Sequence, residues 1–469
     1  MNILPVFLWT DILIFIMVAV VLAGGIYARN KAHLRAPWGQ VVRSRMGMAS
    51  LIVLATYVTI GVIDSVHFRE SLPTENSSGE VYYSGEVLSL LDVLMGSVRE
   101  QQEKTYSAPF AAYAYAKETI ELDDGSQARI YPRLLYGGAH LDDPASELGD
   151  DVLRLSLTAL LYGVVIWALI SAVVVALIAW RRGASISRTA GAILKGQLEI
   201  PWRVMFITLA IIVLLISWCM VLAGYYHILG TDKVGQDVFY QAVKSIRTGL
   251  AIGTLTTLVM LPFAVMLGVA AGYLRGWVDD VVQYLYTTLN SIPGVLLIAA
   301  AVLMLQVYIS THPELFETDA ARADLRLLFL CIILGVTSWT GLCRMLRGEA
   351  MKLREMDYIE AATAFGVSRF KIITRHIMPN VMHIIMIAVV LDFSGLVLAE
   401  AVLSYVGVGV DPTMFSWGNM INGARLEMAR EPMVWWSLLA AFIFMFVLVL
   451  AANLFSDAVR DAFDPRLRK

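Results

Sequence analysis

Nine apolar runs constrain this chain more than any other feature, each long enough to cross about 30 Å of hydrocarbon as a helix. They lie near 8-28, 47-64, 153-180, 204-226, 249-274, 281-309, 327-348, 383-409 and 433-455. In lipid a spanning segment must satisfy its backbone hydrogen bonds within itself, so runs of this length are expected to be helices. Hydrophobic residues make up 58% of the chain and charged residues only 16%, with a mean hydropathy of +0.68, which argues against a set of soluble domains. The expected class is an all-α polytopic membrane protein. The first run begins close to Met1 without a basic leader, and Arg29 rather than a small-residue cleavage site follows it, so it reads as a retained helix.

The basic residues orient these spans. With the N-terminus outside, the inside segments 29-46, 181-203, 275-280, 344-382 and 456-469 hold 22 Lys and Arg, and the longer outside segments hold 13. The positive-inside rule therefore selects N-out and C-in. The outside segment 65-152 is the one soluble piece of domain size, with 16 acidic residues against 6 basic ones. Val87, Leu91, Leu94 and Val98 recur in it at helical spacing, and Asp123-Asp124-Gly125-Ser126 separates two short alternating runs suited to a hairpin. A small α+β cap is expected there. It could serve as a platform for a partner or a gate, or simply as a solvated insertion. Asn76-Ser77-Ser78 fits a glycosylation sequon, a pattern frequent by chance. Cys219, Cys331 and Cys343 fall in apolar runs without metal-ligand spacing and read as small core residues, so no metal site is expected.

Between two spans lies the polar stretch Glu360 to Pro379, EAATAFGVSRFKIITRHIMP. Glu360, Ala361, Ala362 and Ala364 favour a short helix, Gly366 suits a left-handed cap, Ser368 can start a second helix, and Pro379 should stop or kink it. The alanines leave one face bare for close approach by another protein, with Arg369, Lys371 and Arg375 around it. On charge alone the stretch would be an ordinary basic loop. Its order of residues, Glu-Ala-Ala, three residues, then Gly, resembles the EAA loop of ABC-importer permeases, and the ending His376-Ile377-Met378-Pro379-Asn380 resembles the peptide-importer branch.

Further short motifs in the second half agree with that resemblance. Leu229-Gly230-Thr231-Asp232 with Gly235-Gln236-Asp237 is similar to the family's outer turn, with Gln236 where Arg is usual; the glycines and the acids Asp232 and Asp237 also suit plain turn and cap roles. Glu400 to Gly409 is similar to the family's Glu-x-x-Leu-Ser-Phe-Leu-Gly-Leu-Gly, Ser416-Trp417-Gly418 to its re-entrant region, and Asn453 to Leu467 to its tail. Gly249, Gly253, Gly268 and Gly272 should permit close helix packing, while Pro262 and Pro293 are candidate kinks. Asp392, about a third of the way into its span, should face the bundle interior or an aqueous path. No Gly-x-x-x-x-Gly-Lys-Ser/Thr loop occurs, so the chain is expected to take its energy from elsewhere.

The resemblance covers about 205 to 469 and implies a six-helix permease core at 201-469 with a coupling loop at 349-382, in a bacterial inner membrane. Residues 1-200 would form an N-terminal extension with three spans and the insertion 65-152. By resemblance, Glu360, Ala361, Ala362, Gly366, Arg369 and Pro379 couple to an ATPase; Asp392, Glu400, Pro293 and Trp417 are candidates for the path or gate; Thr231, Asp232 and Asp237 form the outer turn. Implied partners are a second permease, two ATPase subunits carrying ATP and Mg, an external or lipid-anchored solute-binding protein and membrane lipid, with no nucleic acid, no cofactor and no catalytic residues in this chain. Four spans precede the Leu229-Gly230-Thr231-Asp232 turn, where the family usually has one, and either 204-226 or the segment from Arg43 to His67 could be that one. Nickel, opine or glutathione import are alternatives within the family. An ion-coupled secondary transporter with Asp392 as coupling site is an alternative of another class, and a membrane enzyme is disfavoured because no nucleophile-base set is evident.

Overall fold

A computed structural model describes residues 3-30, 32-72, 82-121, 127-316 and 318-463. Strand β1 (Ile3–Val6) leads into α1 (Trp9–Asn30), α2 (Ala32–Arg43) and α3 (Arg45–Asp64). The soluble insertion follows with β2 (His67–Glu70), β3 (Leu88–Ser89), α4 (Leu90–Leu94), α5 (Gly96–Arg99), β4 (Glu118–Glu121) and β5 (Gln127–Ile130). Then come α6 (Pro144–Arg182), α7 (Ile186–Leu194), α8 (Trp202–Ala223), α9 (Val238–Leu274), α10 (Trp277–Ser291), α11 (Gly294–Thr311), α12 (Asp319–Ser338) and α13 (Thr340–Arg354). The chain closes with α14 (Asp357–Ala364), α15 (Arg369–Ile372), α16 (Met378–Tyr405), α17 (Trp417–Glu427) and α18 (Trp436–Phe463). Among the described residues nine helical stretches are long and apolar enough to cross a membrane. The fold is that of an all-α polytopic membrane protein.

Two boundaries differ from the sequence reading. The run at 281-309 is broken at Ile292-Pro293 into α10 and α11, and α11 alone is a candidate span, because Ile292 takes the extended backbone that a following proline favours. The helix spacing from Val87 to Val98 is realised only from Leu90 onward and is interrupted at Met95, since Ser89 and Asp92 form a capping box that fixes the start. The hairpin forms as β4 paired with β5, Glu118 opposite Ile130. Its tip at 122-126, the sequon Asn76-Ser77-Ser78 and the tail Asp464-Pro465-Arg466-Leu467 lie outside the described residues.

The centre of the bundle is α9. At about 1.5 Å per residue its 37 residues extend well past the hydrocarbon thickness, and α3, α10, α12, α13, α16 and α18 all pack on it. Its glycines set the spacing. A Cβ on Gly249 would stand 2.7 Å from the Trp417 ring, one on Gly253 2.5 Å from Phe393, one on Gly268 2.7 Å from the Cys343 carbonyl and one on Gly272 2.4 Å from the Arg347 carbonyl. The last two are backbone contacts that no rotamer change relieves. Gly272→Leu is therefore expected to part α9 from α13 and cost about 1–3 kcal/mol through overpacking, seen as a lower thermal midpoint of the detergent-solubilised protein.

The two early candidates for the first span of the core pack differently. Helix α3 seats in the core through Gly61 against Leu250 of α9 and Gly47 against Ala458 of α18, and the Tyr57 hydroxyl donates to the Phe444 carbonyl at 2.9 Å. Helix α8 instead pairs with α6, where Ser217 Oγ donates to Ala159 O at 2.8 Å and the Trp167 indole donates to Phe206 O at 3.0 Å. Of the two early candidates, α3 is the one built into the core, and α6 and α8 form a hairpin against its side.

The connections gather on two faces. Thr10 bonds Asp324, Ser107 bonds Thr231 and Arg326 pairs with Asp411, which collects the insertion and segments 224-237, 312-324 and 406-434 on one face. Arg43 with Glu199 and Arg275 with Glu355 collect α2, α7 and the 355-377 stretch on the other.

Candidate coupling hairpin and outer turn

On the face opposite the insertion, α14 and α15 form a hairpin. Gly366 has φ +73°, the left-handed cap that closes α14, with the Val367 N–H reaching the Ala362 carbonyl at 3.1 Å. Ile359 and Ile372 are fully buried beneath it, in a cluster with Leu346 and Ala350 of α13 and Ile377 and Val381 at the start of α16. The hairpin is thus keyed into the bundle. Its outer surface is the reverse: Phe365 and Phe370 are 88% and 77% exposed. Glu360, Ala361, Gly366 and Arg369 are exposed beside them, Ala362 is half-buried, and Glu360, Arg369, Lys371 and Arg375 have no ion-pair partner among the described residues. Two large aromatic rings are thus held out beside charges that have no ion-pair partner among the described residues.

Pro379 does not stop the helix. A π-helical turn, Ile373–Ile377, precedes α16, and the Met378 N–H reaches back to the Ile373 carbonyl; this wider turn makes room for the Pro379 ring, which sits in the first turn of α16. The hairpin is therefore continuous with a spanning helix. At its base Arg347 of α13 binds Asp279 of α10 through two bonds of 2.5 and 2.7 Å, and these hydrogen bonds hold the Asp279 carboxyl below its usual range.

The outer turn is a structural knot. Thr231 is buried, its hydroxyl donating to Thr105 O at 2.9 Å and accepting from the Ser107 N–H at 2.6 Å, and the Trp436 indole donates to Thr231 O at 2.9 Å. Asp232 accepts from the backbone N–H groups of Val234 and Gln236. Asp237 caps α9 through the Tyr240 N–H and binds His227 Nδ1 at 2.8 Å. Gly235, at φ +77°, is demanded by contact as well as conformation, since a Cβ there would lie 1.8 Å from Glu103 O.

Glu400 is buried and accepts from the Ser404 hydroxyl at 2.7 Å. Trp417 is 1% exposed, donates to Ala242 O at 3.0 Å and packs on Gly249, so in this conformation it fastens α17 to α9 instead of lining an opening. Pro293 is exposed at the α10–α11 break. Asp392 is half-buried in α16 and has no hydrogen-bond or ion-pair partner among the described residues. Glu400 lies against Gly418, the residue after Trp417, and among the described residues no hydrogen bond or ion pair joins Pro293 or Asp392 to that pair.

Three buried ionic anchors went unnoticed in the sequence, all on the insertion face and all ending on or beside the first turns of α9. Arg247 binds Asp11 of α1 at 2.5 Å and lies 3.5 Å from Asp324 of α12; His67 holds the other Asp11 oxygen at 2.8 Å, and Asp324 also bonds Thr10. Lys244 binds Asp64 at 2.6 Å and Asp92 at 2.9 Å, and the Tyr240 hydroxyl donates to Asp92 at 2.6 Å. His227 lies between Asp237 at 2.8 Å and Glu103 at 3.5 Å, all buried. Glu103 also accepts from the N–H groups of Leu135, Tyr136 and Gly137. Burial alone would raise the Glu103 carboxyl and lower the His227 imidazole. The hydrogen bonds outweigh burial, bringing Glu103 down to about 2 and His227 up to about 9. The only sequence signal was the placement of Lys244 and Arg247 against an apolar run, at positions where a charge requires a partner.

Residues 264–469 match the family described as binding-protein-dependent transport system inner membrane component. The oligopeptide transport system permease protein OppC of Mycobacterium tuberculosis is 32% identical over 245 residues, covering 52% of this chain and 78% of that protein. The chain belongs to this permease family, in its dipeptide and oligopeptide ABC branch. The glutathione transport system permease protein GsiD of Pectobacterium atrosepticum is 31% identical over 244 residues, 52% of this chain and 73% of that protein. The dipeptide transport system permease protein DppC of Bacillus subtilis is 28% identical over 243 residues, 52% of this chain and 70% of that protein. This permease is an integral membrane protein of ABC import systems, and the family sets aside an ion-coupled secondary transporter. About half of its length lies outside the stretch over which those relatives are similar.

Proposed function

We propose that this permease forms half of the path of an ATP-driven importer of di- and oligopeptides, and that the hairpin from Glu360 to Pro379 docks into an ATPase subunit. The observation that carries the reading is the exposed pair Phe365 and Phe370 beside unpaired Glu360 and Arg369, on a hairpin whose other side is locked into the bundle by Ile359 and Ile372. A push on the hairpin is delivered through the π turn into α16 and through Leu346 and Ala350 into α13, which carry it to α9. The partners are a second related permease, two ATPase subunits that bind ATP and Mg, and a solute-binding protein on the insertion face. The excess of Lys and Arg on the hairpin face assigns it to the cytoplasm, with the N-terminus and the insertion in the periplasm of a bacterial inner membrane. Chemistry on the nucleotide belongs to the ATPases, and this chain receives force.

Glutathione is itself a tripeptide, and the likeness to a glutathione permease makes it the second cargo to test. In the affinity-purified complex, ATPase subunits are expected to co-purify with the wild-type chain and to be lost, by about tenfold or more, from Gly366→Pro, which removes the left-handed cap. Glu360→Ala should weaken recovery without changing the fold. Undiminished ATPase recovery with both variants would refute docking through this hairpin.

A further inference from the structure

On the insertion face a cavity of about 400 Å3 lies between the outer turn and the α17 segment, within the range of about 300–1,000 Å3 typical of small-molecule sites. The core contributes Lys233, Gln241, Asn419, Gly423 and Glu427, and the insertion contributes one wall residue, Tyr106. Apolar lining comes from Met414, Phe415 and Val434.

Several polar groups in this wall are unspent. Tyr106 is 7% exposed, and its hydroxyl is a buried polar atom with no hydrogen-bond partner. Its ring is held by the Arg430 guanidinium at 4.9 Å, and Arg430 in turn pairs with Glu427 at 3.1 Å, so the phenol lies beside that ion pair without a well-formed hydrogen bond to it. Burial, aided by the Glu427 carboxylate, keeps it protonated and hence a donor. An unmade bond from a buried hydroxyl is costly, and an incoming acceptor removes that cost. Gln241 and Asn419 have committed their amide N–H groups, to Asp232 at 2.8 Å and to the Asp411 and Met414 carbonyls at 2.9 and 3.0 Å. Their amide oxygens accept no bond among the described residues. Lys233 is exposed and has no ion-pair partner among them.

A free donor, two free amide acceptors and a free cation around a partly apolar space match the main chain and carboxylate of a short peptide. We propose that this cavity is an entry subsite for the carboxyl-terminal end of a peptide, its carboxylate toward Lys233 and its main chain between Tyr106 and the oxygens of Gln241 and Asn419. The inference rests on the peptide-importer reading and extends it, because it gives the insertion a part in holding cargo. The apolar walls accept side chains without selecting one strongly.

Two variants test it in the whole complex reconstituted in proteoliposomes, with radiolabelled trialanine as probe. Gly423 lines the cavity and has open space where a Cβ would stand, so Gly423→Trp starts from an unobstructed Cβ and brings a large ring to the cavity wall. It is expected to lower trialanine uptake about tenfold or more. Tyr106→Phe keeps the ring on Arg430 and removes only the hydroxyl; KM should rise about 3- to 10-fold, the worth of one hydrogen bond, with kcat unchanged. A structural role for Tyr106 would instead reduce the amount of assembled complex. If the wild type imports trialanine and both variants match it in KM and rate, the subsite is refuted while the importer reading stands. If the wild type imports no peptide, both fall together.

Discussion

Arg247→Leu is expected to lose about 3–5 kcal/mol of stability, the cost of removing one member of a buried ion pair and leaving the other charged. Arg247 is 7% exposed, and the carboxylates it serves, Asp11 and Asp324, are 1% and 2% exposed. His67 remains to Asp11, but the guanidinium bonds at 3.0 and 2.5 Å are gone, and Asp324 keeps only Thr10. Leucine is apolar and leaves no unpaired group of its own, so the loss is assigned to the stranded acids. This gives a distinguishing second measurement. Adding Asp11→Asn and Asp324→Asn to Arg247→Leu should recover a large part of the loss, since an amide tolerates burial far better than an unpaired carboxylate. The readout is the thermal midpoint of the detergent-solubilised protein, with α1 expected to become protease-sensitive in the single variant. Equal midpoints for Arg247→Leu and the wild type would show that the network carries no weight.

His227→Ala should be nearly as damaging and, unlike the first, its effect depends on pH. The imidazolium joins Glu103 of the insertion to Asp237 at the start of α9, and its loss leaves two buried carboxylates without their shared cation, again about 3–5 kcal/mol at neutral pH. In the folded protein His227 titrates at about 9, above its ordinary 6.5, so its contribution is complete below 6.5 and is lost as the pH rises through 9. Glu103 titrates at about 2, below its ordinary 4.5, so its contribution is complete above 4.5 and is lost as the pH falls through 2. The clasp is therefore strongest between 4.5 and 6.5, and the wild type should lose stability from 6.5 to 9 in a way that His227→Ala does not. Parallel pH profiles for the two proteins above 6.5 would rule out a charged His227.

The spans and the hairpin were legible because each is written locally. Lipid leaves a long apolar run little choice, Gly366 takes the backbone only glycine adopts easily, and the small residues of α9 mark where helices touch. What stayed hidden is held between distant positions. Nothing local separates α3 from α8, both apolar throughout; the difference lies in what Gly47, Gly61 and Tyr57 meet. Strand β1 finds β2 with Ile3 opposite Glu70, a pairing with no turn to announce it. Pro379 misled because a proline is read against an α-helical ladder, and the π turn before it changes the ladder. Thr231 and Asp237 looked like ordinary turn residues and are such, but their bonds cross to Ser107 and hold His227, which places the family's outer turn under the insertion.

The arginine at the end of the first network lies 236 residues after the aspartate it neutralises. At about 5–20 residues per second of synthesis, Asp11 enters the membrane roughly 10–50 s before Arg247 exists. Until then Asp11 has His67 as its one charged partner in the native network, and without the guanidinium it is otherwise accommodated by protonation or a position near the headgroups. Biogenesis of this permease thus has a waiting period set by the ribosome: α1 and α3 cannot dock until α9 arrives to receive them, and truncation ahead of α9 leaves helices that the cell's membrane quality control should remove.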